Sequence, residues 1–88
     1  MVTPDPSGRV AVVTGAGSGV GRSIAEHLAR QGRRVAALDI DAEAAAATAA
    51  SLRADGLTAL AVQLDVSDRA EVHRVFDDVR AELGPIEV

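Results

Sequence analysis

The feature that most constrains this chain is Thr14-Gly15-Ala16-Gly17-Ser18-Gly19-Val20-Gly21, four glycines at alternate positions between two apolar segments of different periodicity. Before it, Val10–Val13 is wholly apolar and mostly β-branched, the pattern of a short strand buried on both faces. After it, Val20, Ile24 and Leu28 recur at helical spacing with Ala25 and Ala29 beside them, and Gly32 stands where a helix C′ residue belongs. A strand that turns through glycines into a helix leaves unpaired N–H groups and a positive dipole end at the helix mouth. With no Cβ in the way, the backbone there can approach an anion closely.

The rest of the chain repeats the alternation. Arg34–Leu38 is an apolar run closing on Asp39, and Asp41 is placed to cap an alanine-rich helix that runs to about Asp55 and stops at Gly56. Thr58–Leu64 is a third such run, closing on Asp65. Ser67 or Asp68 caps a third helix, with Asp68 and Glu71 spaced as a capping box and Val72, Val75, Phe76, Val79 and Leu83 as its stripe. Gly84-Pro85 ends that helix, and Ile86–Val88 reads as the start of a fourth strand. Strands alternating with helices, without hairpin turns, predict βαβαβα units with right-handed crossovers. The expected fold class is α/β: a Rossmann-type, doubly wound parallel sheet that stops after the third helix at the start of a fourth strand. It occupies residues 9–88, after a flexible lead-in over 1–8. In the 3-2-1-4 order of such sheets the first strand then presents an apolar edge, and the 88 residues alone are expected to be poorly soluble or loosely packed.

Composition narrows the partners. Hydrophobic residues make up 48% and charged ones 25%, a globular mix, and the net charge of −4 opposes nucleic acid and anionic membrane surfaces. No apolar stretch approaches the ~18 residues of a membrane span. Cysteine is absent, and Met1–Gly8 carries two prolines and an aspartate where a signal peptide would be basic and apolar, so a cytoplasmic location is expected. The basic residues are all arginine; without a lysine, a G-x-x-x-x-G-K-[ST] phosphate loop is excluded. His27 and His73 fall on the polar sides of their helices with no metal-ligand pattern around them, so no metal is expected. Arg33-Arg34 reads as a solvated loop pair and Phe76 as core.

The glycine spacing is not G-x-G-x-x-G, because counting from Gly15, Gly17 or Gly19 the sixth position is Val20, Arg22 or Ile24. It is T-G-x-x-x-G-x-G after Arg9-Val10-Ala11-Val12-Val13, and in this it resembles the cofactor turn of the short-chain dehydrogenase/reductase family. The resemblance extends from Arg9 to Val88. It implies that Gly15, Gly17, Ser18, Gly19, Val20 and Gly21 hold the pyrophosphate and ribose of NAD, Val20 through its backbone N–H and Ser18 through a hydrogen bond, while Thr14 steadies the turn. It also implies that Asp39 accepts from the adenosine ribose hydroxyls; capping the next helix is the other reading, for which Asp41 is better placed. Family members that prefer NADP carry a basic residue where this chain has Ser18 or Ile40, so the resemblance implies NAD. Asp65 and Val66 would seat the adenine, unless Asp65 merely caps.

Hydride transfer in that family depends on a tyrosine and lysine spaced Y-x-x-x-K, with a serine and usually an asparagine, beyond the fourth strand. This chain has neither tyrosine nor lysine, so no catalytic residue is expected within it and the 88 residues alone should be inactive. The expected parent is a homo-oligomeric, NAD-dependent enzyme interconverting an alcohol and a ketone. Two other readings stay open: a non-catalytic dinucleotide-binding module, and an S-adenosylmethionine-binding domain of methyltransferase type, which also joins a glycine turn to an acidic residue ending the second strand.

Overall fold

The computed structural model describes residues 10–84. In chain order these form β1 (Val10–Thr14), α1 (Gly19–Arg30), β2 (Arg34–Asp39), α2 (Ala42–Ala54), β3 (Ala59–Gln63) and α3 (Arg69–Leu83). The expected lead-in and the strand expected at 86–88 lie outside the described residues. The strands make one parallel sheet in the order β1-β2-β3, with Val12 opposite Ala36 and Ala36 opposite Leu60. Among the described residues β1 is an edge strand.

Alternation along the strands divides the core into two layers. Val13, Val35, Ala37 and Ala59 pack with Ala25 and Ala29 of α1 and Ala49 and Leu52 of α2. Val10, Ala36 and Leu38 point the other way, onto Val75, Val79 and Leu83 of α3. Helices therefore cover both faces of a parallel sheet, which is a doubly wound, Rossmann-like α/β arrangement.

Helix ends follow local chemistry. Gly32 and Gly56 have positive φ (90° and 79°). Their amides bond back to Ala29 and Arg53, and those of Arg33 and Leu57 to Leu28 and Leu52, closing each helix in a Schellman motif. Asp41 caps α2 by accepting from the amides of Glu43 and Ala44. Of the two candidates at α3 it is Asp68 that caps, through the amide of Glu71.

Three expectations need correction. Two of the three large apolar residues of α1 do not face the sheet: Ala25 and Ala29 are buried and Leu28 packs half-buried against their layer, whereas Val20 is 77% and Ile24 47% exposed. The cause lies at Gly21, where an added Cβ would stand 2.0 Å from the Gly15 carbonyl oxygen. The helix begins pressed against its own turn, so the small stripe Gly21-Ala25-Ala29 lies beneath it, and Leu28 joins the layer only near the far end of the helix. Arg34 is not solvated; it opens β2 half-buried and donates from Nη1 to the Leu83 carbonyl, satisfying the free C-terminal end of α3. Phe76 is half-buried, packed against the second layer from its margin.

Denaturant unfolding should separate the two sides of α1. Ala25→Leu overpacks a site with no accessible surface and is expected to cost about 1–3 kcal/mol, whereas Ile24→Ala should stay within about 0.5 kcal/mol. The opposite ranking would return the large residues to the inner face.

Candidate functional site

A crevice of about 320 Å³ opens at the carboxyl ends of the three strands, lined by Thr14, Gly15, Leu38, Asp39, Ile40, Leu64, Asp65 and Val66. Open α/β sheets bind ligands at this end, because the connections leaving the strands there diverge.

The glycine turn on one side of the crevice is held by its own chain. The Ala16 amide donates to the Leu38 carbonyl at 3.0 Å, and the Ser18 amide donates to the Gly15 carbonyl at 3.2 Å. The Ser18 hydroxyl donates to that same oxygen at 2.9 Å. From α2, the buried Thr48 hydroxyl donates to the Ala16 carbonyl at 3.0 Å. The Gly17 amide donates to Asp39 Oδ2 at 2.9 Å. Gly17 is glycine by necessity, since a Cβ there would stand 2.3 Å from the Ala44 Cβ. A Cβ on Gly19, in contrast, would meet nothing within 4 Å, so packing does not require glycine there.

The mouth of α1 differs electrostatically from those of the other helices. Its N-cap Ser18 makes no side-chain capping bond and its first turn has no acidic residue, whereas α2 and α3 have Asp41 and Asp68 as caps and Glu43 and Glu71 in their first turns. The first bond into α1 comes from the Arg22 amide to Ser18, so the helical ladder offers no partner to the amides of Gly19, Val20 and Gly21. Free N–H groups and an uncompensated positive end together favour an anion.

Across the crevice, Asp39 takes the Asp41 amide on Oδ1 at 3.0 Å and the Gly17 amide on Oδ2. The Asp41 amide, then those of Gly17 and Ile40, hold its carboxyl below the ordinary carboxylate range against a small opposing effect of burial. Asp65 does not cap α3. Its Oδ1 accepts from the Ser67 hydroxyl at 2.7 Å and the Ser67 amide at 2.9 Å, an Asx turn that likewise lowers its pKa. Ile40 and Val66 stand at the rim, 64% and 62% exposed.

Of the residues singled out in the sequence, Gly15, Asp39, Ile40, Asp65 and Val66 thus line one crevice. Gly17 is joined to it through Asp39, and Ser18, Gly19 and Val20 form the adjoining helix mouth. Gly21 is committed to packing against Gly15. Thr48 was not singled out; the available signal is that it is the lone polar residue in the run Ala44–Ala50.

Residues 9–88 match the family described as short chain dehydrogenase. The chain is 46% identical over 81 residues to a D-threitol dehydrogenase of Mycolicibacterium smegmatis, a match covering 92% of this chain and 31% of that protein. It is 42% identical to a sorbitol dehydrogenase of Cereibacter sphaeroides, covering 92% and 30%. A hydroxysteroid dehydrogenase structure from Escherichia coli superimposes with a TM-score of 0.90 at 32% identity, over 97% of this chain and 34% of that one. The chain spans about a third of the length of these relatives.

The Asp39 contacts make a titration prediction. Folding lowers its pKa, so its contribution to stability is complete above the unfolded value of 3.8 and is lost as pH falls through the lower folded value. A carboxyl ¹³C titration should place the Asp39 midpoint below 3.8, with the Gly17 amide shift following the same curve. A midpoint at or above 3.8, or a Gly17 amide that ignores it, would contradict the contact.

Proposed function

The chain belongs to the short chain dehydrogenase family, and from that membership we propose that it is the NAD-binding part of an enzyme interconverting an alcohol and a ketone. The observation that carries this reading is the mouth of α1, left without side-chain cap or acidic neighbour beside a crevice whose far wall holds an ionised carboxylate. The amides of Gly19, Val20 and Gly21 receive the pyrophosphate, and the glycine at 19, which no packing contact demands, leaves room for its oxygens. Asp39 accepts from the adenosine ribose hydroxyls. The exposed side chains of Ile40 and Val66 cover the adenine faces, and Asp65 accepts from its exocyclic amine. When bound, the nicotinamide cofactor supplies the hydride acceptor or donor. What these residues do is bind and orient it.

Charge favours NAD over NADP. A 2′-phosphate would meet the Asp39 carboxylate, and Ser18 and Ile40 supply no positive charge to offset the repulsion. The names D-threitol dehydrogenase and sorbitol dehydrogenase, borne by two relatives, favour an alcohol as substrate. With neither tyrosine nor lysine among the 88 residues, the chain on its own is proposed to bind without turnover. Family membership leaves the S-adenosylmethionine reading without a supporting observation.

Calorimetric titration should show NAD binding at least about tenfold tighter than NADP, a difference of about 1.4 kcal/mol. Selective binding of S-adenosylmethionine, or equal binding of NAD and NADP, would overturn the reading. Gly19→Ala separates ligand from fold: it should leave the Tm unchanged or slightly raised, since alanine favours a helix, while weakening NAD by about tenfold. Unimpaired NAD binding by that variant would place the pyrophosphate elsewhere.

A further inference from the structure

We propose that Thr48 of α2 is a positioning residue for phosphate recognition: its buried hydroxyl fixes the Ala16–Gly17 peptide and thereby the amides that follow at the mouth of α1. The assignment rests on the dinucleotide reading above and extends it to a residue outside the crevice.

Thr48 is 1% exposed and is the buried polar side chain among the described residues. A hydroxyl placed in a layer of alanine and leucine is unfavourable unless it is bonded. Here it leaves its own helix to donate to the Ala16 carbonyl at 3.0 Å. The peptide that begins with this carbonyl ends in the Gly17 N–H, which donates to Asp39 Oδ2. Because a peptide unit is planar and its C=O and N–H point in opposite directions, the two bonds grip one rigid plate from opposite sides, Thr48 from α2 and Asp39 from the end of β2. The preceding peptide is fixed as well, its Ala16 N–H on the Leu38 carbonyl. Rotation of the 16–17 plate would redirect the amides that follow it, and both of its handles are held. Ala44, one turn before Thr48 on α2, abuts Gly17, so a single helical face sets both the clearance and the orientation of the turn.

Without the Thr48 hydroxyl the Ala16 carbonyl is left buried and unbonded, and the plate is held only at its Gly17 end, by Asp39. Loss should therefore fall on ligands that carry the pyrophosphate. Adenosine, which engages only the strand ends, should be spared.

The test compares Thr48→Val, close in shape but without the hydroxyl, with Thr48→Ser, which keeps it, titrating ADP-ribose and adenosine by NMR at a temperature where circular dichroism shows each variant folded. We expect T48V to weaken ADP-ribose by about tenfold, to leave adenosine within about twofold, and to shift the Gly17 amide resonance; T48S should restore all three. If T48V does not fold, Thr48→Ala supplies the same comparison. Wild-type affinity for ADP-ribose in the hydroxyl-free variant, or a parallel loss of both ligands in a folded one, would overturn the assignment while leaving the dinucleotide reading intact. Failure of the unsubstituted chain to bind ADP-ribose would overturn that reading first, and this assignment with it.

Discussion

The junction between β1 and α1 governs the rest of the molecule. With the α-carbon of Gly21 lying against the Gly15 carbonyl, the first turn of α1 sits on the backbone that leads into it, and the helix runs from there close over the sheet. That proximity selects the small stripe Gly21-Ala25-Ala29 on its inner side and an alanine-rich first layer beneath α1 and α2. The same proximity brings the first amides of α1 to the edge of the crevice. A bulkier junction would lift the helix and carry its free N–H groups away from the strand ends.

Electrostatic differentiation among the helices follows the same logic. Asp41 and Asp68 close the N-termini of α2 and α3, and each of those helices has a glutamate in its first turn. Ser18, a residue well suited to capping, turns its hydroxyl back to Gly15 instead. One of three helix mouths is thereby left positive, and it is the one beside the crevice. The acidic groups that do face the crevice are kept ionised, Asp39 by backbone amides and Asp65 by the Ser67 hydroxyl and then its amide, suiting them to accept from hydroxyl and amine donors.

Local signals were legible in the sequence because they act over a few residues. Apolar runs ending in Asp39 and Asp65, the glycines closing α1 and α2, the Asp41 cap and the glycine turn all appear where the pattern placed them. The orientation of α1 was not legible. An apolar pattern weights side chains by size, while the inner face here is chosen by clearance, which depends on the Gly21–Gly15 approach. Arg34 reads as a solvated loop residue in the sequence because its acceptor, the Leu83 carbonyl, is far away in the chain and gives no composition signal. Thr48 is the same case within the site: its acceptor lies on another element, and only its isolation among alanines marks it.

Asp39 couples the two halves of the site more tightly than a simple ribose acceptor would. An ionised carboxylate offers about four lone-pair positions; the Asp41 and Gly17 amides take one on each oxygen, and acceptor capacity remains on the carboxylate for a sugar hydroxyl. Cofactor choice and turn geometry are therefore functions of one side chain. Replacing it to admit a 2′-phosphate would remove the repelling charge and, in the same step, release the Gly17 end of the plate that Thr48 holds by its other end. A change of cofactor preference at this position is then not independent of pyrophosphate binding, and any compensating acceptor for the Gly17 amide has to come from α2 or from the end of β2, the elements already in contact with the turn.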